Sequence, residues 1–202
     1  PTLRKIMRMM ENAGVNCERI ILKMSDGYDI CIMAWKGNSS ANALVISHGM
    51  KEYALRYDEV ARFFAQRGFA VFAYNHRGHG VEAKGRGELG FLAEKNGFCR
   101  VVEDLCEVVR YAKGCCPNGK LALLGHSFGS FVAQGYMEKY GGEIDVCLLS
   151  GSAGPRRFLV WAGRCLAWML KGVCGKRSRL AFMEWAVFGN YNRRIENPKS
   201  KN

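Results

Sequence analysis

The segment from Leu121 to Ala133 constrains the fold of this chain more than any other. Four apolar residues run into Gly-His-Ser-Phe-Gly at residues 125–129, and apolar residues then recur at helical spacing. This order predicts a buried strand, a sharp turn and a helix, with Ser127 at the turn and its hydroxyl projecting above the edge of a sheet. The two flanking glycines remove Cβ atoms that would clash in so tight a corner.

Two roles are open for Ser127. A five-residue pattern with three fixed positions also occurs by chance, and the serine would then only cap the helix that follows. The apolar run before the turn, the amphipathic stretch after it and a separate His-Gly pair at residues 48–49 favour a nucleophile instead. We therefore predict that Ser127 is a catalytic nucleophile.

The rest of the chain alternates between strand and helix patterns. Its 202 residues, 49% of them hydrophobic, are enough for one substantial core. An Asp-Gly turn at residues 26–27 joins two strand-like runs, which is a strong hairpin signal. Buried strands are predicted at 43–47, 69–74, 121–124 and 144–150, helices at 57–66, 101–109 and 127–140, and an irregular glycine-rich segment at 84–96. The predicted fold class is α/β, a mostly parallel sheet with an antiparallel N-terminal hairpin and helices on both faces.

A second feature follows the strand predicted at 43–47, at His48-Gly49-Met50. A glycine just beyond a buried strand lets the backbone bend tightly. Backbone amides can then point into the space above the sheet edge, where the turn of Ser127 also opens.

No metal site is predicted. His76 and His79 are three residues apart without a carboxylate at ligand spacing, and the nine cysteines are scattered without paired CxxC spacing. Several cysteines lie in apolar patterns, where a free thiol packs as a small hydrophobe. Because the N-terminal basic residues are followed by polar ones, no secretory signal is expected, and the cysteine usage favours the cytoplasm.

The net charge of +12 is concentrated in the C-terminal quarter. Residues 1–154 hold 19 basic and 16 acidic side chains, whereas residues 155–202 hold 11 basic and 2 acidic. We interpret 1–154 as the N-terminal part of an α/β core. Residues 155–202, which are aromatic-rich with helical spacing, are either the start of a helical cap or an ordinary core-facing helical pair, and we favour the cap. The basic surface is either an ordinary solvated face or a contact with anionic lipid. No motif for reading nucleic acid is present, so no nucleic-acid partner is expected.

These motifs together resemble the α/β-hydrolase family. The strand-His-Gly loop, the Arg-Gly-His-Gly loop at 77–80, Gly-His-Ser-Phe-Gly and the helical stretch after Ser150 look most like its lysophospholipase and monoacylglycerol lipase branch, the serine aminopeptidase type. The resemblance implies a serine hydrolase that cleaves carboxylic esters of single-chain lipids. It makes Ser127 the nucleophile and gives the oxyanion hole to the backbone amides of Met50 and Phe128; no cofactor is expected.

Two positions depart from the family pattern. Asn75 stands where the family often has aspartate, and Val81-Glu82 replaces the usual serine-containing continuation after the second glycine. Both lie outside the catalytic triad, so they bear on substrate details more than on the chemistry.

The chain contains no evident base for the serine. A serine nucleophile needs one, and in this fold the acid and the histidine follow the serine in chain order. All four histidines precede Ser127; they are His48, His76, His79 and His126. His126 should point away from the serine hydroxyl, and Asp145 is expected to be a strand-start residue on the wrong strand for the acid.

The missing base has two explanations. We expect the acid and the histidine to lie beyond residue 202, which makes this chain a truncated and nearly inactive form. The alternative is a non-catalytic binding module on an α/β-hydrolase scaffold.

Overall fold

A computed structural model of the chain describes residues 14–37, 41–154 and Trp161. Its strands are β1 (Asn16–Lys23), β2 (Asp29–Lys36), β3 (Asn42–Ser47), β4 (Phe69–Tyr74), β5 (Leu121–His126) and β6 (Val146–Ser150). Its α-helices are α1 (Asp58–Ala65), α2 (Gly80–Gly85), α3 (Gly97–Cys115) and α4 (Phe128–Tyr140), with 3-10 turns at Ala54–Tyr57 and Gly141–Glu143. The strands form one sheet in the order β1-β2-β4-β3-β5-β6.

The N-terminal hairpin is confirmed. Strands β1 and β2 pair antiparallel, with Ile20 opposite Ile32. At the turn between them the Asp26 carboxylate accepts a hydrogen bond from the Tyr28 amide at 3.2 Å. Strand β2 also pairs antiparallel with β4, so the hairpin forms one edge of the sheet.

The other four strands are parallel, as predicted. Since parallel neighbours need connections that cross a face of the sheet, the helices lie between them in the chain. The carboxyl ends of these strands meet at one edge, where Ser47 lies opposite both Tyr74 and Gly125, and His126 lies opposite Ser150. The α/β class is confirmed, and the segments predicted to be functional follow strands that end at this edge.

Each face of the sheet has its own core. Phe72, Leu123 and the α3 residue Leu105 pack on one face, whereas Val71 and Trp35 pack on the other. Successive residues of a strand point to opposite faces, so a strand covered on both sides must be apolar throughout. Burying a side chain of this size stabilises the fold by about 1.5–3 kcal/mol.

Two expectations about burial were wrong. The apolar stripe of the predicted helix at 101–109 places Asp104 on its water-facing side, but Asp104 is fully buried. It accepts two hydrogen bonds from Arg77, one of them at 2.7 Å. Its cationic partner comes from the loop after β4, which no helical pattern reveals. Strand β6, expected to be buried, leaves Leu148 and Leu149 nearly half exposed because it is the outermost strand of the described sheet.

Two further points concern the ends of elements. The glycine-rich segment predicted to be irregular from residue 84 begins inside α2, which ends at Gly85. The chain forms two compact units, with the boundary between Gly154 and Pro155. The predicted cap at 155–202 lies outside the described residues, Trp161 apart. In the described ranges, no helix is both long and apolar enough to cross a membrane.

Candidate active site

Ser127 occupies the corner between β5 and α4. Its backbone angles, φ 50° and ψ −116°, lie outside the helical region, and its side chain makes no capping hydrogen bond to the helix. The capping role weighed from the sequence is therefore wrong. A non-glycine residue in such a conformation costs about 1–3 kcal/mol, so its surroundings must hold it. Part of that support is the Ser127 amide, which donates to the Ser150 carbonyl at 2.9 Å.

The flanking glycines permit this corner, as predicted. A Cβ on Gly125 would lie 2.6 Å from the carbonyl oxygen of Gly129, and a Cβ on Gly129 would overlap the carbonyl group of Ser47. The N-terminus of α4 therefore packs directly over the end of β3, at a distance that leaves no room for a side chain.

The loop after β3 lies against the same corner. A Cβ on Gly49 would lie 3.3 Å from the Cβ of Ser127. The Glu52 carboxylate holds this loop, accepting hydrogen bonds from the Gly49 amide at 2.9 Å and from the Tyr57 hydroxyl at 2.8 Å. Burial raises the pKa of Glu52, but these bonds and the nearby Arg56 guanidinium outweigh it, so the pKa lies below its usual range. A charged Glu52 thus fixes the loop at neutral pH.

The two amides proposed for the oxyanion hole lie on the two segments that meet at Ser127. Among the described residues, neither the Met50 nor the Phe128 N–H has a hydrogen-bond acceptor. Phe128 is the first residue of α4, where the amides have no partner within the helix. Within the described part of the chain, both N–H groups therefore keep their hydrogen-bonding capacity for a ligand.

Three buried histidines surround this loop. The ring of His48 contacts those of His76 and His79, with centroids 4.4 and 5.2 Å away. Burial lowers the pKa of His48 to about 4 and also lowers the pKa of the other two. All three are neutral at pH 7, and their ring nitrogens bond to backbone groups at Gly49, His76, His48 and Arg77.

None of the four histidines contacts the Ser127 hydroxyl in the part of the chain that the structure describes. No hydrogen bond joins any of their rings to the serine hydroxyl, and His126 instead has Nδ1 3.2 Å from the hydroxyl of Ser150. Asp145 is at the opposite end of the strands, where it accepts a hydrogen bond from the Leu121 amide at 2.8 Å. It is a strand-start residue, as predicted.

The two departures from the family pattern contact each other. Asn75 Nδ2 donates to Glu82 at 3.1 Å, while Asn75 Oδ1 accepts a hydrogen bond from the Ala54 amide at 2.8 Å. Arg19 pairs with the other oxygen of Glu82, also at 2.8 Å. What the sequence showed as two separate differences is one link between the loops that follow β3 and β4.

Two residues that support the corner were not predicted from the sequence, Glu52 and Ser130. Ser130 is fully buried, and its hydroxyl donates to the Ser127 carbonyl at 2.6 Å. Serine hydroxyls in helices often bond to a carbonyl three or four residues back, so this contact had a sequence signal. Glu52 had none, because only the folded loop brings its carboxylate to the Gly49 amide.

The sheet order and the strand-turn-helix corner define an α/β hydrolase. Solved structures share this fold: a carboxyl esterase from Bacillus coagulans has a TM-score of 0.71 and 24% identity over 83% of this chain and 55% of its own. A soluble variant of the monoglyceride lipase of Saccharomyces cerevisiae has a TM-score of 0.62 and 22% identity over 81% of this chain and 55% of its own.

Residues 38–190 match the family model described as serine aminopeptidase, S33, and the chain belongs to that family. This confirms the resemblance drawn from the motifs. A monoacylglycerol lipase of Mycolicibacterium smegmatis is 34% identical over 142 residues, 70% of this chain and 45% of that protein. The monoglyceride lipase of Rattus norvegicus is 33% identical over 110 residues, 54% of this chain and 34% of that protein. The chain thus spans less than half the length of these relatives.

Proposed function

We propose that this chain carries the nucleophile and oxyanion hole of a serine hydrolase that cleaves carboxylic esters of single-chain lipids. The observation that carries the proposal is the corner at Ser127, where a serine on a strained backbone makes no capping hydrogen bond and adjoins two amides that have no acceptor among residues 14–37 and 41–154. Membership of the serine aminopeptidase family supports the same conclusion.

The proposed reaction is acyl transfer through the serine. Ser127 Oγ attacks the ester carbonyl carbon as a base removes its proton, and the Met50 and Phe128 amides donate to the oxyanion that forms. Collapse of this intermediate releases the alcohol, which takes the proton from the base. Water then attacks the acyl-enzyme by the same route and regenerates the serine.

The base and its acid partner are proposed to come from outside these 202 residues. Three of the four histidines are buried against backbone groups, and the fourth bonds to Ser150. In a protease whose catalytic histidine was removed, turnover fell by about 10⁶-fold, with a residual rate left by the oxyanion hole and by binding. We therefore expect residues 1–202 alone to hydrolyse esters only slightly above background.

The substrate class is proposed from the relatives and from composition. The similar proteins from Mycolicibacterium smegmatis and Rattus norvegicus are named monoacylglycerol and monoglyceride lipases. The aromatic stretch at 158–170 would line the pocket for the acyl chain, and the basic residues of 155–202 would contact anionic lipid surfaces. Both segments lie outside the described core. We propose a cytoplasmic enzyme, for which the seven free cysteines among the described residues are the support.

A fluorophosphonate probe tests the nucleophile in the complete gene product. The probe should label the wild type, and Ser127→Ala should lose both labelling and hydrolysis of monoacylglycerol. Ser152→Ala is the matched control, since it removes another serine just beyond β6 and should label normally. A folded protein that stays unlabelled, but binds lipid equally well with and without Ser127→Ala, would establish the non-catalytic binding module instead.

A further inference from the structure

We infer that His48 and Ser130 are positioning residues that aim the two oxyanion-hole amides. The inference deepens the proposed function and rests on it for the role of those amides. Neither side chain touches the reacting atoms. Each acts through a carbonyl group of the backbone.

The geometry of the peptide unit makes this possible. In a planar trans peptide the C=O and the following N–H point in opposite directions. The Met50 N–H belongs to the same unit as the Gly49 carbonyl, and the Phe128 N–H to the same unit as the Ser127 carbonyl. Whatever holds each carbonyl therefore sets the direction of the amide at the other side of the unit.

His48 holds the first unit. Its Nε2 lies 3.1 Å from the His76 amide, which can only donate, so Nε2 carries no proton. The proton of the neutral ring is then on Nδ1, which donates to the Gly49 carbonyl at 2.7 Å. The Glu52 amide donates to the same oxygen at 3.2 Å.

Ser130 holds the second unit in the same manner. The Ser127 carbonyl accepts a hydrogen bond from the Ser130 amide at 2.9 Å and one from the Ser130 hydroxyl at 2.6 Å. Ser127 has a positive φ, a conformation that is unfavourable for a residue other than glycine. The orientation of this peptide unit therefore depends on hydrogen bonds from its surroundings.

The two units are therefore restrained alike, each by one backbone amide three residues ahead and by one side-chain donor. Both His48 and Ser130 are fully buried, so water does not compete for these hydrogen bonds. Oxyanion donors stabilise the transition state only when they are already aimed at the developing charge. Removing the side-chain hydrogen bond to either carbonyl should therefore lower kcat more than it weakens substrate binding.

Steady-state kinetics on the complete gene product test the role of Ser130. Since losing a whole oxyanion donor lowers kcat by about 10²–10³, we expect Ser130→Ala to lower kcat by about 10–100-fold with KM little changed. Ser47→Ala is the matched control: Ser47 is as deeply buried, but its hydroxyl lies near Tyr74 and His76 and touches neither carbonyl. It should reduce stability without reducing kcat.

A pair of substitutions separates the two ring nitrogens of His48. Asparagine in place of His48 can still donate from the δ position to the Gly49 carbonyl. Glutamine has no donor at the δ position, and its oxygen at the ε position can accept from the His76 amide. If aiming is the role of His48, His48→Gln should lose about 10–100-fold in kcat and His48→Asn clearly less. Equal losses, or a larger loss for His48→Asn, would show a structural role only.

Amide resonances test the inference without any turnover. In ¹⁵N–¹H NMR spectra, Ser130→Ala should shift the Phe128 amide and leave that of Met50 in place, and His48→Gln should do the reverse. Shifts that fail to follow this pattern overturn the inference, even where kcat falls. If the pattern appears but the wild type hydrolyses no ester, the positioning stands and the proposed reaction is wrong.

Discussion

Replacing Asn75 with aspartate tests whether Asn75 and Glu82 form one matched pair. In the wild type the Asn75 amide donates to the Glu82 carboxylate at 3.1 Å. The substitution would put a second negative oxygen in place of that donor. Arg19 already pairs with Glu82, and its single positive charge cannot neutralise two carboxylates.

The expected cost follows from the distance and the burial. Two unit charges about 4 Å apart repel by about 4 kcal/mol at an effective dielectric constant of about 20. Solvent screens part of this, because the Glu82 side chain is 16% exposed, and the Ala54 amide still stabilises a charge at position 75. We therefore expect Asn75→Asp to lower the free energy of unfolding by about 2–3 kcal/mol at pH 7.

The sign of the pH dependence is also defined. Repulsion raises the pKa of one carboxyl group of the folded pair above its unfolded value, so the folded state binds more protons. The stability of the variant relative to the wild type should therefore recover as the pH falls from about 7 to about 5.

Urea unfolding of a double-mutant cycle provides the measurement. Glu82→Ser alone should cost about 1 kcal/mol, since it removes one partly exposed ion pair and one hydrogen bond. In Asn75→Asp/Glu82→Ser the carboxylate and its hydrogen-bond donor exchange sides, so the double variant should be about 2 kcal/mol more stable than additivity allows. An additive cycle, or an Asn75→Asp protein as stable as the wild type at pH 7, would refute the matched pair.

Three further predictions concern the stability of the core. Gly129→Ala should lower the free energy of unfolding, measured by thermal denaturation, by more than about 3 kcal/mol, because its Cβ would overlap a β3 carbonyl group. Gly114→Ala is the control: it lies in open space on α3 and should stabilise the protein by about 0.5–1 kcal/mol. Asp104→Asn should destabilise it by about 3–5 kcal/mol, because the buried guanidinium of Arg77 loses its main partner; an unchanged urea midpoint would contradict this. Burial lowers the pKa of His48 in the folded protein to about 4, below its unfolded value. The free energy of unfolding should therefore fall by about 3 kcal/mol between pH 6.5 and pH 4, and a free energy that does not change with pH would contradict this.

Much of the fold could be predicted because its signals are local. The hairpin depends on Asp26 and Gly27, and the corner at Ser127 depends on glycines two residues away on either side. Asp104 shows where such signals end. Its position on α3 resembles that of its acidic neighbours, and only the packing of the loop after β4 brings Arg77 to it.

The candidate site divides in the same way. The sharp turn at Ser127 could be predicted from local sequence, since a strained corner between a buried strand and a helix requires specific residue types within five positions. Which groups hold that corner depends on segments that are distant in the chain and meet only in the folded protein. His48, Glu52 and Ser130 act through backbone groups, and the link between Asn75 and Glu82 joins two loops. These contacts arise because the parallel register brings the carboxyl ends of separate strands to one edge, which no local pattern specifies.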